Sequence, residues 1–132
     1  MGIFLKDINL KGKTALITGA TKGLGRGAAI AIAEAGGNII AVGRNQIELN
    51  TLKEEIKKFK VNYMPFNCDV NDYNRMRSFI TKLKKLDILV NNAGTNIPEP
   101  FLNVKKSSME TLLNVNTKAV FNVAQLCANQ II

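Results

Sequence analysis

The sequence predicts an α/β fold in which helices cover both faces of one doubly wound parallel sheet. Short apolar runs alternate with longer amphipathic stretches along the 132 residues, with only short breaks between them. A glycine cluster stands between the first apolar run and the first amphipathic stretch. Strands that alternate with helices pair in parallel through right-handed crossovers, so this order indicates one domain over residues 1–132.

The first half of the pattern is the clearest. Residues 14–18 form an apolar run ended by glycine, which predicts a buried strand. Residues 24–35 are rich in Ala and Ile and stop at Gly36-Gly37, as a helix with a C-terminal glycine does. Residues 38–42 predict the second strand. Near-helical spacing of apolar residues then predicts another helix, through Ile47, Leu49, Leu52, Ile56 and Phe59.

The second half continues the alternation. Residues 61–67 predict a third strand and residues 86–90 a fourth. Between them, residues 72–85 have the pattern of an amphipathic helix, with apolar positions at i, i+3, i+4 and i+7: Met76, Phe79, Ile80 and Leu83. Pro98 and Pro100 mark a loop. Ser107 or Ser108 is expected to cap a long last helix.

Composition excludes several classes of chemistry. The chain has no histidine, so Ser–His, Cys–His and His–metal sites are ruled out, and we expect no metal. Cys68 and Cys127 are too few for a disulfide framework and are expected to be buried thiols. The net charge of +8 is compatible with polyanion binding, but the lysines are scattered without interleaved aromatics. We therefore expect solvated helix faces and no nucleic-acid partner; salt-dependent retention on DNA would indicate the alternative.

Nothing in the sequence indicates a membrane protein. No apolar run reaches the roughly 18–20 residues that span a bilayer. Charged residues interrupt residues 1–13, so no signal-peptide core is expected, and Lys6 stands where a myristoylation signal after Gly2 needs Ser or Thr. We therefore expect a cytoplasmic protein without a membrane anchor.

Gly19, Gly23 and Gly25 lie between the first strand and the first helix. Glycines at this place let the backbone turn tightly and let a pyrophosphate approach the helix N-terminus, where free N–H groups favour anions. The G-x-x-x-G-x-G spacing differs from the G-x-G-x-x-G of the general dinucleotide fingerprint. The position between strand and helix nevertheless favours a dinucleotide site over a plain structural turn.

Four segments, in order, resemble motifs of the short-chain dehydrogenase/reductase family: Thr18-Gly19-x-x-x-Gly23-x-Gly25, Cys68-Asp69-Val70, Asn91-Asn92-Ala93-Gly94 and Asn114-Val115-Asn116. The resemblance extends over nearly the whole chain and implies a Rossmann-type fold that binds a nicotinamide dinucleotide. It implies cofactor contacts along the glycine loop and at three strand ends: Thr18, Gly19, Thr21, Lys22, Gly23, Leu24, Gly25, Arg44, Asp69, Val70, Asn91, Asn92, Ala93 and Gly94.

The end of the second strand indicates which cofactor is bound. An acidic residue there would bind the ribose 2′-hydroxyl of NAD and repel a 2′-phosphate. The sequence has Gly43-Arg44 instead, and a guanidinium pairs well with phosphate. Lys22 in the glycine loop can add a second cation. The sequence therefore favours NADP, and NAD remains the alternative if Arg44 is only a surface residue.

Asn116 occupies an apolar stripe of the last predicted helix, together with Leu112, Ala119, Val120 and Val123. A buried amide without partners costs roughly 1–3 kcal/mol, so we expect Asn116 to make a polar contact. One possibility is a structural bond to a neighbouring loop. The family resemblance implies a catalytic role, in which this Asn binds a water that links a catalytic Lys to solvent.

Two further positions have a structural alternative. Asp69 can contact the cofactor, or it can serve as a turn or helix-cap residue like its neighbours Asn71 and Asp72. Asn91 and Asn92 can satisfy backbone groups at a strand end, since side-chain amides do this well. In the family the matching Asn residues do both.

The resemblance implies an NADP(H)-dependent oxidoreductase that moves a hydride between the cofactor and an alcohol/carbonyl pair. The Ser and the Tyr-x-x-x-Lys pair that complete the family's site have no match, because Tyr63 and Tyr73 precede the fourth strand. We therefore expect an incomplete domain that is inactive by itself. The alternative is a non-catalytic dinucleotide-binding module or sensor, and a reading frame that continues into these residues would argue against it.

The substrate is less defined. Residues 4–13 and 96–102 resemble family members that act on sugar acids such as gluconate or deoxygluconate, and 3-oxoacyl reductases remain possible. We expect a small alcohol or ketone, and homo-oligomers of the full-length protein through the Asn-bearing helix. We also expect the fourth strand to form an open apolar edge that makes the chain poorly soluble or self-associating.

Overall fold

The computed structural model describes residues 7–132, which contain one four-stranded sheet. The strands are β1 (Thr14–Thr18), β2 (Asn38–Gly43), β3 (Tyr63–Asn67) and β4 (Ile88–Val90), in the order β3-β2-β1-β4. All pairings are parallel, which confirms the predicted doubly wound sheet. The interpretations of Gly2, Lys6 and the first part of residues 4–13 lie outside the described residues.

Five α-helices lie among the described residues: α1 (Gly23–Glu34), α2 (Gln46–Ile56), α3 (Tyr73–Ile80), α4 (Lys106–Leu113) and α5 (Val120–Ile131). Short 3-10 turns follow α2 and precede α4, at Lys57–Phe59 and Phe101–Asn103. A π-helical segment, Asn114–Ala119, joins α4 to α5. Within residues 7–132, no helix is both long enough and apolar enough to cross a bilayer.

The two faces of the sheet have separate apolar layers, because successive residues of a strand point to opposite sides. Ala15 and Ile17 of β1 pack with α1 and α2, whereas Leu16 faces α3 and α5. Each fully buried Leu or Ile contributes about 1.5–3 kcal/mol. Cys68 and Cys127 belong to the second layer and are buried free thiols, as the sequence predicts.

The segment before β4 differs from the prediction. The helix predicted over residues 72–85 ends at Ile80, where 3-10-type bonds from Lys82 to Phe79 and from Leu83 to Ile80 tighten the last turn. The chain then turns so that Leu86 enters the core, and Asp87 pairs with the start of β1. The apolar pattern continues to Leu83, beyond the end of the helix, because Leu83 and Leu86 on either side of this turn both pack in the second apolar layer.

The predicted cap of the last helix is wrong. The helix begins at Lys106, after Lys105, and neither Ser107 nor Ser108 caps it. Glu99 takes this role from the preceding loop, since its carboxylate accepts from the Lys105 N–H at 3.1 Å and from the Ser108 hydroxyl at 3.0 Å. A carboxylate beside the N-terminus also complements the helix dipole.

An apolar edge is present, as expected. Among the described residues β4 pairs only with β1, and its three residues are half-buried. Phe101 and Leu102 are each 90% exposed, and Phe121 of α5 is 65% exposed. Exposed apolar area of this kind favours association. Self-association of the chain remains a prediction.

Asp87 fastens β4 to the start of β1. Its carboxylate accepts from the Thr14 N–H at 2.9 Å, and its own N–H donates to the Thr14 carbonyl at 2.9 Å. The bond from Thr14 is the main reason that the pKa of Asp87 lies below its usual value, and the nearby Lys85 and Lys13 cations act in the same direction. The ionised carboxylate is thus preferred in the folded chain.

A lowered folded-state pKa means that this contribution is present above the unfolded pKa, roughly 3.9, and is lost as the pH falls through the folded value. We therefore predict that Asp87→Asn lowers stability near pH 7 and flattens its decline between about pH 4.5 and pH 2.5. Thermal unfolding followed by circular dichroism at several pH values measures this. Glu54→Gln removes an exposed negative charge on α2 and is the matched control. An acid decline as steep in Asp87→Asn as in wild type would contradict the assignment.

Candidate functional site

A cavity of about 650 Å³ opens at the carboxyl ends of the four strands. Parallel α/β sheets bind ligands at this edge, because the loops after each strand converge there. The loops after β1 to β4 all contribute predicted site residues to its wall: Gly19, Thr21, Lys22, Arg44, Asp69, Val70, Asn92, Ala93 and Gly94. Thr18, Gly23, Leu24, Gly25, Asn91 and Asn116 lie outside the lining.

The glycine loop is packed too closely for side chains at two positions. Gly19 has a φ of +62°, and a Cβ there would lie 2.9 Å from the Asn92 Nδ2 atom. A Cβ on Gly25 would lie 2.1 Å from the Gly19 carbonyl oxygen and 2.5 Å from the Asn92 Nδ2 atom. The absence of these side chains lets α1 begin directly against the ends of β1 and β4.

Hydrogen bonds of Thr18 and Asn92 stabilise the close packing of the glycine loop. The fully buried Thr18 hydroxyl accepts from the backbone N–H groups of Asn92 and Ala93, both at 2.9 Å. The Asn92 amide in turn donates to the Thr18 and Gly19 carbonyls, each at 3.3 Å. Thr18 therefore binds the loop after β4 and does not face the cavity. Asn92 both bonds to the glycine loop and lines the cavity wall.

The helix α1 begins beside the cavity, directly after the lining residue Lys22, and has no side-chain cap. Its N-cap residue, Lys22, is extended and makes no capping bond, and the first turn contains no acidic residue. The first amides of a helix have no partner within the helix, so an uncapped N-terminus favours anions. Leu24, in this first turn, is 87% exposed although its side chain is apolar. The first amides of α1 are thus left without a side-chain cap, and anion binding by them remains a prediction.

Two cations lie on the cavity wall, Lys22 from the glycine loop and Arg44 from the end of β2. Both are exposed, and neither forms an ion pair with any residue in the range 7–132. The carboxylate-bearing Glu48, in the first turn of α2, also lines the wall. This end of the cavity therefore presents two free positive charges and one acid.

Asp69 lines the cavity and also forms a turn. Its Oδ1 atom accepts from the Asn71 N–H at 2.9 Å. The cap of α3 is Asp72, whose Oδ1 atom accepts from the Arg75 N–H at 3.2 Å. The turn therefore uses one Asp69 oxygen and leaves the carboxylate at the cavity surface.

Asn91 and Asn116 do not line the cavity, but their amides bond to backbone groups of neighbouring segments. Asn91 donates to the Val120 carbonyl at 2.8 Å, which ties the end of β4 to the beginning of α5. Asn116 accepts from the Thr95 N–H at 2.8 Å and donates to the Thr95 carbonyl at 2.9 Å. The polar contact expected of Asn116 is present, as a bond to a neighbouring loop.

The expected burial of Asn116 is wrong, because its side chain is exposed. Ala119 and Val123 of the same predicted stripe are buried. The stripe assumes α-helical spacing, whereas Asn114–Ala119 is a π-helical segment whose wider turn rotates Asn116 away from the core. Such segments occur frequently at functional sites.

Several wall residues are absent from the sequence prediction, among them Glu48, Thr95, Thr111 and Val115. Thr111 and Val115 come from the last helical region, which approaches the strand ends only in the folded chain. Glu48 had a local signal, since Asn45 three residues earlier caps α2 by accepting from the Glu48 N–H at 3.1 Å. Cys68 also lines the cavity, and burial raises the pKa of its thiol.

We predict that Gly25→Ala disrupts the site, because its Cβ would overlap the Gly19 carbonyl and the Asn92 amide. A loss of several kcal/mol, on the scale of an overpacked core, is expected. Gly27→Ala is the matched control, since its Cβ meets nothing within 4 Å on the same helix, and it should stabilise by about 0.5–1 kcal/mol. Urea unfolding measures both. Equal stability of the two variants would refute the close-packing argument.

Comparisons with known proteins find relatives over nearly the whole chain. The chain is 36% identical over 126 residues to an L-xylulose reductase of Mus musculus, covering 96% of this chain and 50% of the relative. It is 35% identical over 122 residues to a 2-dehydro-3-deoxy-D-gluconate 5-dehydrogenase of Pseudoalteromonas atlantica, covering 89% of this chain and 48% of the relative. The chain thus spans about half the length of the curated relatives it matches.

Solved structures show the same fold. The L-sorbose reductase of Gluconobacter frateurii, complexed with NADPH and L-sorbose, superimposes with a TM-score of 0.87 at 25% identity, over 95% of this chain and 49% of that one. A short chain dehydrogenase of Mycobacterium paratuberculosis bound to NAD gives 0.86 at 26% identity, over 93% and 52%.

The family assignment rests on nearly the whole chain. The family model described as short chain dehydrogenase matches residues 13–132, which include the glycine loop, the ends of all four strands and the π-helical segment. The identities of 36% and 35% to named reductase and dehydrogenase relatives agree with it. The chain therefore belongs to the short chain dehydrogenase family.

Proposed function

We propose that the chain forms the cofactor-binding half of an NADP(H)-dependent oxidoreductase that acts on an alcohol/carbonyl pair. The observation that carries this proposal is the cavity at the strand ends, where an uncapped helix N-terminus adjoins a glycine loop that has no room for a side chain at Gly19 or Gly25. Pyrophosphate fits such a cradle because it is anionic and needs close backbone approach. Family members with NADPH and with NAD bound have the same fold, which supports a nicotinamide dinucleotide.

The preference for NADP over NAD rests on charge at the end of β2. Arg44 follows Gly43 where an acidic residue would select the ribose 2′-hydroxyl, and Lys22 lies on the same cavity wall. Both side chains are free to pair with a 2′-phosphate, and charge-assisted bonds of this type are roughly twice as strong as neutral ones. Glu48 on the same wall opposes a dianion, so the two cations together must outweigh it.

The remaining predicted residues fit distinct parts of a dinucleotide. Asp69 and Val70 lie at the end of β3, on the wall that would receive the adenine. Gly94 and Thr95 follow β4, and Asn116 holds the Thr95 backbone in place. The bound nicotinamide would supply or accept the hydride. We propose that Asn116 shapes this end of the site and joins the proton relay when the remaining family residues are present.

Substrate, assembly and location are further parts of the proposal. Two relatives are named for a sugar, L-xylulose, and a sugar acid, 2-dehydro-3-deoxy-D-gluconate. We propose a small polyhydroxylated alcohol or ketone, which includes the sugar acids expected from the sequence. We further propose a cytoplasmic enzyme that is a homo-oligomer at full length, because exposed apolar residues of α5 such as Phe121 offer contact area.

We predict that the chain binds NADPH at least tenfold more tightly than NADH, and that Arg44→Ala removes most of this difference. Loss of one charge-assisted bond to the 2′-phosphate corresponds to a roughly 10-fold to 100-fold weaker complex. Quenching or enhancement of nicotinamide fluorescence gives both dissociation constants. Lys53→Ala, which removes an exposed cation from α2, is the matched control. Equal or tighter binding of NADH by the wild type would refute the NADP assignment.

We predict no turnover by the 132-residue chain, because neither Tyr63 nor Tyr73 is followed four residues later by a lysine, so the Tyr-x-x-x-Lys pair that moves the proton has no match. The absorbance of NADPH at a saturating concentration is followed with L-xylulose, L-sorbose and a simple ketone. Oxidation should not exceed the rate without protein. Saturable oxidation that Arg44→Ala weakens would show that the chain is catalytic as it stands.

A further inference from the structure

Arg26 is a cation near the cofactor cavity that does not face it. It lies in α1, one residue after the tightly packed Gly25, and its side chain is only 19% exposed. Its Nη1 atom donates to the Thr21 carbonyl at 3.0 Å and to the Glu48 carbonyl at 3.4 Å. Its Nη2 atom pairs with the Glu55 carboxylate at 2.6 Å. One guanidinium thus connects the glycine loop to two turns of α2.

The residues that Arg26 holds are those that form one end of the cavity. Thr21 and Glu48 both line the wall, whereas Arg26 is absent from it. Thr21 is buried against the end of β2, since a Cβ on Gly43 would lie 2.4 Å from the Thr21 Cγ2 atom. Lys22 follows Thr21, and Arg44 follows Gly43. The backbone positions of the two free cations are therefore set by the contacts around Thr21.

A second bond secures α2 from the other side. The Tyr63 hydroxyl donates to the Leu49 carbonyl at 2.7 Å, next to the carbonyl that accepts from Arg26. Burial raises the pKa of Tyr63 to about 12, and the neighbouring Arg26 cation acts in the opposite direction. The Tyr63 hydroxyl bonds to α2, whereas Arg26 bonds both to α2 and to the glycine loop. Arg26 is therefore the side chain that couples these two walls.

We infer that Arg26 is a positioning residue for the 2′-phosphate end of the cofactor cavity, holding the glycine loop against α2 so that Lys22 and Arg44 face the same phosphate. This inference rests on the proposed binding of NADP(H). The Arg26 charge is paired with Glu55, so its effect on binding is exerted through geometry. A planar guanidinium suits this role, because it directs several donors at fixed angles to separate acceptors.

The test compares NADPH and NADH binding by wild type, Arg26→Met, Arg26→Lys and Glu55→Gln. Arg26→Met removes every bond but retains the apolar stem, and the ratio of the two affinities should fall on the order of tenfold. Arg26→Lys has one ammonium in place of the fork and should give an intermediate ratio. Glu55→Gln removes only the ion pair and should keep the ratio within about twofold of wild type. A purely structural role would weaken both nucleotides equally and leave the ratio unchanged.

The outcomes separate this inference from the proposed function. Circular dichroism identifies the variants that fold. If Arg26→Met does not fold, the affinity ratio of Arg26→Lys decides the test. A wild type that prefers NADPH, with a reduced preference in the folded Arg26 variants, supports the inference. The same wild-type preference with an unchanged ratio in every folded Arg26 variant overturns the inference alone. A wild type without preference overturns the NADP proposal, and the role of Arg26 at a 2′-phosphate with it.

Discussion

The site depends on one buried interaction, the Thr18 hydroxyl accepting the N–H groups of Asn92 and Ala93 at 2.9 Å. Without this hydroxyl, two partly buried backbone donors after β4 would lose their partner, and a fully buried unsatisfied donor costs roughly 1–3 kcal/mol. The interaction fixes the last residues of β1 and β4 side by side. The Asn92 amide then fills the space beside Gly19 and Gly25, so the glycine loop can close only over this pair.

This constraint places the start of α1 beside the cavity at the carboxyl ends of the strands. Parallel pairing brings the carboxyl ends of all four strands to one edge, and close packing at Gly25 starts the helix directly above it. Asn91 and Asn116 extend the same principle to the far side, where each amide bonds to backbone of another segment. Polar side chains that satisfy backbone groups thus hold the wall in place, and charged side chains such as Lys22 and Arg44 remain available to meet a ligand.

The sequence predicts the sheet and the order of its elements, because these depend on local patterns, and its predicted site residues include half of the residues that line the cavity. The apolar run of β1, the glycine loop and the strand-end residue Asp69 each carry their signal within a few positions. The cap supplied by Glu99 and the exposure of Asn116 are not predictable in this way. The first comes from a loop seven residues before the helix. The second follows from a π-helical segment that breaks the α-helical period.

The role of Arg26 cannot be predicted from local sequence patterns, because it depends on burial of the side chain in the folded chain. Its acceptors, Thr21 and Glu48, are separated in the chain by α1 and β2, so nothing in the neighbouring sequence distinguishes Arg26 from Lys22 or Arg44. Burial makes the difference. An exposed cation keeps its hydration until a phosphate replaces it, whereas a partly buried one needs acceptors in the folded chain. The paired guanidinium therefore fixes shape, and the exposed cations remain available for the ligand.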